Sequence, residues 1–262
     1  MSPRKLRASA KTIFVTGTDT DAGKTLLAAL MLYHLRQTNR RAFAMKPFCS
    51  GGREDVVLLS SLQNHELPME EINPFYFAEP VAPLVAARMH RRIVGLNEVW
   101  DRVERVKTKC DWLVIEGSGG VMVPLGEGYT VLDLVVRLRC PVVVAARNKL
   151  GVINHTILTV RAMQAVGIKS IAVGLMGCRR RDRSAQSNER TLKELLSPIS
   201  VLNIPFLGEG AARPAAVKRN YKNIKKTIAL LADFDSFTHV LLNDSRKRLK
   251  TKTTVDSPRG RK

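Results

Sequence analysis

Aromatic residues are scarce, at 5% of the chain, so the interior has to be built from valine, leucine, isoleucine and alanine. The four cysteines, Cys49, Cys110, Cys140 and Cys178, stand far apart with no C-x-x-C pair, which argues against a zinc site and against a disulfide framework. No run of eighteen apolar residues is present, and the basic stretch from Met1 to Lys11 is not followed by a signal-type apolar segment. The expectation is a soluble, cytoplasmic protein with no membrane partner. Acidic residues are also in short supply, 23 against 43 lysines and arginines. Much of the excess sits at the ends: Arg4, Lys5, Arg7 and Lys11 at one, and eight basic residues against Asp256 between Ser245 and Lys262. Residues 1–11 and 245–262 therefore read as solvated, basic tails around a body spanning 12–244. Nonspecific contact with nucleic acid is the functional alternative for the tails, but no aromatic interleaving or recognised motif accompanies them.

What is there begins with Ile13-Phe14-Val15-Thr16, an apolar β-branched run. It leads through Gly17-Thr18-Asp19-Thr20-Asp21-Ala22 into Gly23-Lys24-Thr25 and a helical apolar pattern from Leu26 to Gln37. A strand, a loop of this size and a helix start make a phosphate cradle, because unpaired N–H groups and the positive dipole end collect at a helix N-terminus. Gly23 lets the backbone close on the anion, Lys24 reaches the β- and γ-phosphates, and the Thr25 hydroxyl suits Mg²⁺. The loop is a variant: Thr18 stands where the usual pattern has its first glycine, and Gly17 lies one residue earlier. The plainer alternative is an ordinary strand-to-helix turn that contains Gly-Lys-Thr.

Further apolar runs at Ala42–Met45, Trp112–Ile115, Pro141–Ala145, Ile171–Leu175 and Leu202–Pro205 read as strands, with helices at 55–62, 84–89, 95–107, 131–138, 152–166, 187–196 and 222–233 between or after them. Continuous rather than alternating apolar runs mark strands buried on both faces. The fold class is thus α/β: one doubly wound domain, a mostly parallel sheet flanked by helices, of the P-loop NTPase type. Residues 73–83, with three prolines, read as a loop. Ligands of such sheets lie beyond the carboxyl ends of the strands. There stand Lys46-Pro47-Phe48-Cys49-Ser50 after the second strand and Glu116-Gly117-Ser118-Gly119-Gly120 after the third, a carboxylate able to hold Mg²⁺ opposite Thr25. Asp55 reads equally as a second metal ligand or as the first-turn acid of its helix. Gly151-Val152-Ile153-Asn154 opens a helix whose amides suit a carboxylate, or which Asn154 simply caps.

Five ordered stretches, 17–25, 46–51, 73–83, 116–125 and 149–159, together resemble the dethiobiotin synthetases, ATP-dependent cyclo-ligases of biotin synthesis. The resemblance covers about residues 13–210 and leaves the tails outside. It implies ATP, or another nucleoside triphosphate, and Mg²⁺ as cofactors, with a diamine and CO₂ as substrates. It further implies Thr25, Asp55 and Glu116 at the metal, and Lys24 on the phosphates. Lys46 would serve the carbamate and the transferring phosphoryl group, with Thr20 and Ser50 beside the diamine. Nucleotide contacts are implied at Asp21, Ala22, Gly23, Gly117, Ser118, Gly119, Gly177, Ile204, Pro205 and Phe206. Residues 151–154 would hold the substrate carboxylate of a neighbouring subunit in a homodimer. Where the family commonly shows an Asn-Asp pair on the adenine edge, this chain has Gly177-Cys178, and a tyrosine found in some members is replaced near Asn188. The rival class is a P-loop partitioning or positioning ATPase that binds DNA or membrane. Its signature lysine, five positions before the P-loop lysine, is Asp19 here.

Overall fold

Parallel strands on either side of the segment that enters the phosphate loop fix where everything else lies. The computed structural model describes residues 10–180 and 183–233. In chain order these form β1 (Lys11–Gly17), α1 (Lys24–Gln37), β2 (Ala42–Met45), β3 (Phe48–Ser50), α2 (Glu54–Leu62), α3 (Met69–Ile72), β4 (Phe75–Phe77), α4 (Pro83–Met89) and α5 (Leu96–Lys107). The long strand β5 (Trp112–Gly120) leads to a small ribbon, β6 (Pro124–Gly126) and β7 (Tyr129–Thr130), and then to α6 (Val131–Leu138). The chain ends in β8 (Val142–Arg147), α7 (Val152–Ala165), β9 (Ile171–Met176), a 3₁₀ turn, α8 (Asn188–Leu196), β10 (Ser200–Ile204) and α9 (Pro214–Ala232). The main sheet has six strands in the order β10-β9-β8-β1-β5-β2, each neighbouring pair parallel. This is the doubly wound sheet the continuous apolar runs imply, and Ile13, Phe14, Val114, Val143 and Val173 are fully buried in it.

Several boundaries differ from the sequence reading. Lys11, assigned to the N-terminal tail, begins β1, pairs with Trp112 and lies over its ring. β5 runs through Gly117, Ser118 and Gly119 rather than stopping at Ile115, because glycine here serves close packing: a Cβ on Gly117 would stand 2.8 Å from Cε1 of Phe14. Residues 73–83 are not wholly loop. Phe75–Phe77 pairs with β3, and Phe48 stacks on Phe75 with ring centroids 4.9 Å apart. Three residues are too few to show a strand's alternation. α9 starts eight residues before Lys222, with Pro214 in its first turn where the missing N–H costs nothing. The expected C-terminal tail, 245–262, lies outside the described residues.

Among the described residues no helix is long and apolar enough to cross a membrane. The four cysteines are free, three of them buried, and burial pushes the Cys110 thiol up to about 11 and that of Cys140 up to about 12.

Gly174, in the middle of β9, is where α1 and α9 press onto the sheet: a Cβ there would meet Leu27 at 3.1 Å, Ile204 at 3.4 Å and Leu231 at 3.7 Å. Leu27→Ala should therefore destabilise the fold by about 2–5 kcal/mol in denaturant unfolding. Gly174→Val should cost about 1–3 kcal/mol through overpacking. Wild-type midpoints for both variants would show that this layer is not close-packed.

Candidate functional site

Sheet register brings the chemistry together. Val15 of β1 pairs with Glu116 of β5, and Met45 of β2 pairs with Ile115. The next residue of β2's strand direction, Lys46, therefore arrives beside Glu116, and the loop after β1 arrives on the other side. Thr25 Oγ1 donates to Glu116 Oε1 at 2.7 Å, and Lys46 Nζ donates to the same oxygen at 2.9 Å. Lys46 also donates to Asp55, in the first turn of α2. Glu116 has no solvent exposure at its side chain, and Lys46 only 10%.

Burial works hardest against charge here. It drives the Glu116 carboxyl up, with Lys46 opposing. It also works against the Lys46 ammonium, but Glu116 and Asp55 outweigh it and raise Lys46 above the ordinary lysine value. Lys24 is lowered by burial against the pull of Glu116, and its Nζ donates to the Asp19 carbonyl at 2.8 Å, closing the loop on itself. Because folded Lys46 holds its proton more tightly than in the unfolded chain, its contribution to stability is complete below the ordinary lysine range. It is lost only as pH rises through the raised folded value.

The loop geometry follows from two special residues. Asp21 and Gly23 take positive φ, 54° and 95°, and a Cβ on Gly23 would lie 3.0 Å from Met176. Ala22 is buried and Thr20 is exposed, its N–H donating to Asp19 Oδ1 at 2.7 Å. Ser50 ends β3, half-buried. Ser118 Oγ donates to the Phe48 carbonyl at 2.9 Å, tying the β5 extension to the segment that carries Lys46. The brace that sequence reading missed is Asn73. Buried, it donates from Nδ2 to the carbonyls of Lys46 and Pro47, at 2.9 and 3.3 Å, and so holds the lysine's backbone where Pro47 breaks the strand. Its place at the head of the 73–83 stretch was the only signal.

Hard oxygen donors suit Mg²⁺, which takes one or two carboxylates and keeps water and phosphate as its other ligands. Glu116 Oε2 is buried with no hydrogen-bond partner, beside the Thr25 hydroxyl and across Lys46 from Asp55. That donor set fits the ion. Among the described residues no group of three His, Cys, Asp or Glu side chains could hold a metal.

A cavity of about 600 Å³ continues from Asp21, Ala22 and Gly23 to Gly177, Pro205 and Phe206. Ile204 lies elsewhere: its side chain is fully buried in the core, and only its carbonyl reaches the site, accepting from Gly177 N–H at 2.7 Å. Lys149, at the head of the 149–159 stretch, also lines this cavity, as do Arg147, Arg179 and Arg180, which carry no recognisable sequence pattern. A cavity of about 640 Å³ lies at the amino ends of the strands, against Lys11, Trp112 and Pro141, away from the charged cluster. Residues 151–154 open α7, with Gly151 at φ 91° as its cap, and join neither the charged cluster nor the 600 Å³ cavity. Asn188 is buried and donates to Asn148 Oδ1 at 2.8 Å, a structural tie rather than an exposed contact.

A family model described as an AAA domain matches residues 11–209. The ATP-dependent dethiobiotin synthetase BioD of Bacillus licheniformis is 40% identical over 172 residues, covering 64% of this chain and 73% of that protein. The enzyme of the same name from Bacillus subtilis is 35% identical over 200 residues, covering 74% and 84%. That from Methanocaldococcus jannaschii is 36% identical over 160 residues, covering 60% and 75%. Among solved structures, a ParA family ATPase from Chlorobium tepidum superposes with a TM-score of 0.53 at 14% identity, covering 86% of this chain and 99% of that one. A MinC:MinD complex from Aquifex aeolicus superposes at 0.54 and 12%, covering 96% and 99%. At such identities these structures show the fold alone.

Removing Lys46 leaves Glu116 as an uncompensated buried charge. Lys46→Met should cost about 3–5 kcal/mol in chemical unfolding, and adding Glu116→Gln should recover a substantial part of it in a double-mutant cycle. Strict additivity of the two changes would show that the pair is not energetically coupled.

Proposed function

The chain belongs to the ATP-dependent dethiobiotin synthetase family, and on that premise we propose that it closes the ureido ring of dethiobiotin from 7,8-diaminononanoate, CO₂ and ATP. In this reaction one amine takes up CO₂ and loses a proton to form a carbamate, and a carbamate oxygen attacks the γ-phosphate, breaking its bond to the β,γ-bridging oxygen and releasing ADP, to give a carbamic-phosphoric anhydride. The second amine then displaces phosphate and closes the ring. The observation that carries the reading is the cluster of Lys24, Thr25, Lys46, Asp55 and Glu116 at the carboxyl ends of adjacent strands.

Phosphoryl transfer requires positioning and charge neutralisation more than covalent help from the protein. The Lys46 ammonium, held protonated by two carboxylates, can turn to the carbamate oxygens and to the charge that develops on the transferring group. Lys24 braces the β- and γ-phosphates at the loop. Thr25, Asp55 and Glu116 would hold Mg²⁺, which would screen phosphate charge. Gly117, Ser118 and Gly119 line the approach from β5, and Thr20 and Ser50 flank the place of the diamine. The first-turn amides of α7, at Gly151, Val152, Ile153 and Asn154, are assigned to the substrate carboxylate of a second subunit, so the working unit is a homodimer.

Mass spectrometry after incubation with diamine, bicarbonate, Mg²⁺ and ATP should show dethiobiotin; a folded, nucleotide-binding protein that makes none refutes the reading. Lys46→Gln should lower turnover by a factor of roughly 10²–10³ while changing nucleotide affinity far less. Thr25→Val should weaken nucleotide binding in Mg²⁺ but not in chelator. Near-normal turnover in both variants would remove these residues from the mechanism. Sedimentation should give twice the 29.1 kDa of the chain, and a monomer that turns over at full rate would overturn the shared-site assignment.

A further inference from the structure

The 600 Å³ cavity at the far end of the phosphate loop has no neutral hydrogen-bonding side chain of the kind that tells one base from another. Among the described residues lining it there is no asparagine, glutamine, serine or threonine; its polar side chains are charged, apart from the Cys178 thiol. The charge is mostly one sign, with Arg147, Lys149, Arg179 and Arg180 facing Asp21 and Glu209. Arg179 is already paired with Glu209. Arginine and lysine only donate, so they suit the phosphate oxygens that every nucleotide carries.

Backbone packing excludes a reader from the most natural position. A Cβ on Gly177 would stand 2.5 Å from Phe206 N, 2.8 Å from the Pro205 carbonyl carbon and 3.1 Å from Ile204 O. All three are main-chain atoms, and the Gly177 N–H is bonded to the last of them at 2.7 Å. No rotamer change clears that space. Beside it, Met176 O accepts from Asn148 N at 2.8 Å. What the wall does offer is the Phe206 ring, 40% exposed, a face on which any base can stack.

We propose that this chain is a base-tolerant nucleoside triphosphate enzyme. The β9 and β10 loops, locked together at Gly177, leave base recognition to the Phe206 face and to donor-only cations, so that affinity is set by the triphosphate. The proposal rests on the reading of the 17–25 loop as a nucleotide site and deepens it.

Calorimetric titration of the full chain with ATP, GTP, CTP, UTP and inorganic tripolyphosphate in Mg²⁺ tests it. The four nucleotides should bind within about fivefold of one another; an ATP affinity more than thirtyfold above each of the others overturns the proposal. Phe206→Ala should weaken all four nucleotides by a similar factor, about tenfold, and leave tripolyphosphate unchanged. A loss confined to one base overturns it. Gly177→Asn, checked for folding by circular dichroism, should weaken all four rather than create a preference; a thirtyfold gain in ATP over GTP refutes the steric argument. Turnover assays separate the two readings. Equal binding of all four with no dethiobiotin from any leaves base tolerance standing and ends the ligase assignment. Dethiobiotin from ATP alone, with matching selective binding, does the reverse. Failure of every nucleotide and of tripolyphosphate to bind ends both.

Discussion

One buried oxygen organises the active end of the molecule. Glu116 Oε1 accepts from both Thr25 and Lys46, from opposite sides, in a place with no solvent. A carboxylate so placed loses its hydration and is kept only by charge and hydrogen bonding of good geometry. Lys46 supplies both, and is itself steadied by Asp55. The other oxygen, Glu116 Oε2, remains buried and without a hydrogen-bond partner. Stability and function compete for the same groups, since an ammonium locked to two carboxylates must exchange part of that bonding for substrate.

Such a cluster depends on strand order more than on local sequence. With β5 between β1 and β2, register alone sets Glu116 opposite Val15 and one step past the Met45–Ile115 pair. Slippage by a single residue would turn Glu116 to the other face of the sheet. The devices that prevent slippage are mostly backbone. Gly117 admits the Phe14 ring, Gly120 pairs with Gly17 after the bulge, and Asn73 fastens the turn at Pro47. Ser118 adds a cross-tie from β5 to Phe48. These contacts place the phosphate loop, the carboxylate and the lysine on one rigid frame, so their mutual geometry does not rely on a mobile loop.

Much of this was legible in the chain. Continuous Val/Ile/Leu runs announced parallel strands, and Gly-Lys-Thr after an apolar run announced the phosphate loop. Lys46 and Glu116 announced themselves by standing at the ends of such runs. What stayed hidden shares a cause: it depends on contacts between segments far apart in sequence. The Glu116–Gly120 stretch looks like a terminator because its glycines suggest a turn, whereas the sheet uses them for close approach. The three residues of β4 have no periodicity to read. The arginines around the 600 Å³ cavity are indistinguishable in sequence from the chain's general basic excess, and Ile204 looked like pocket wall because its neighbours Pro205 and Phe206 are.

The two ends of the site are built to different standards, and transition-state reasoning says why. Only interactions that strengthen as the γ-phosphate moves can raise turnover; contacts to a distant base bind ground state and transition state alike. At the phosphate end the chain spends its rigidity, with buried charge, paired hydrogen bonds and residues in left-handed backbone. At the base end it offers a stacking surface and exposed cations, with Arg179 72% exposed at its side chain. Loosening the second end costs nothing in the chemical step as long as the first holds the triphosphate. Lys24, Arg147, Lys149 and Arg180 can supply that hold without reading the base at all, because a triphosphate's charge is the same whichever base it carries.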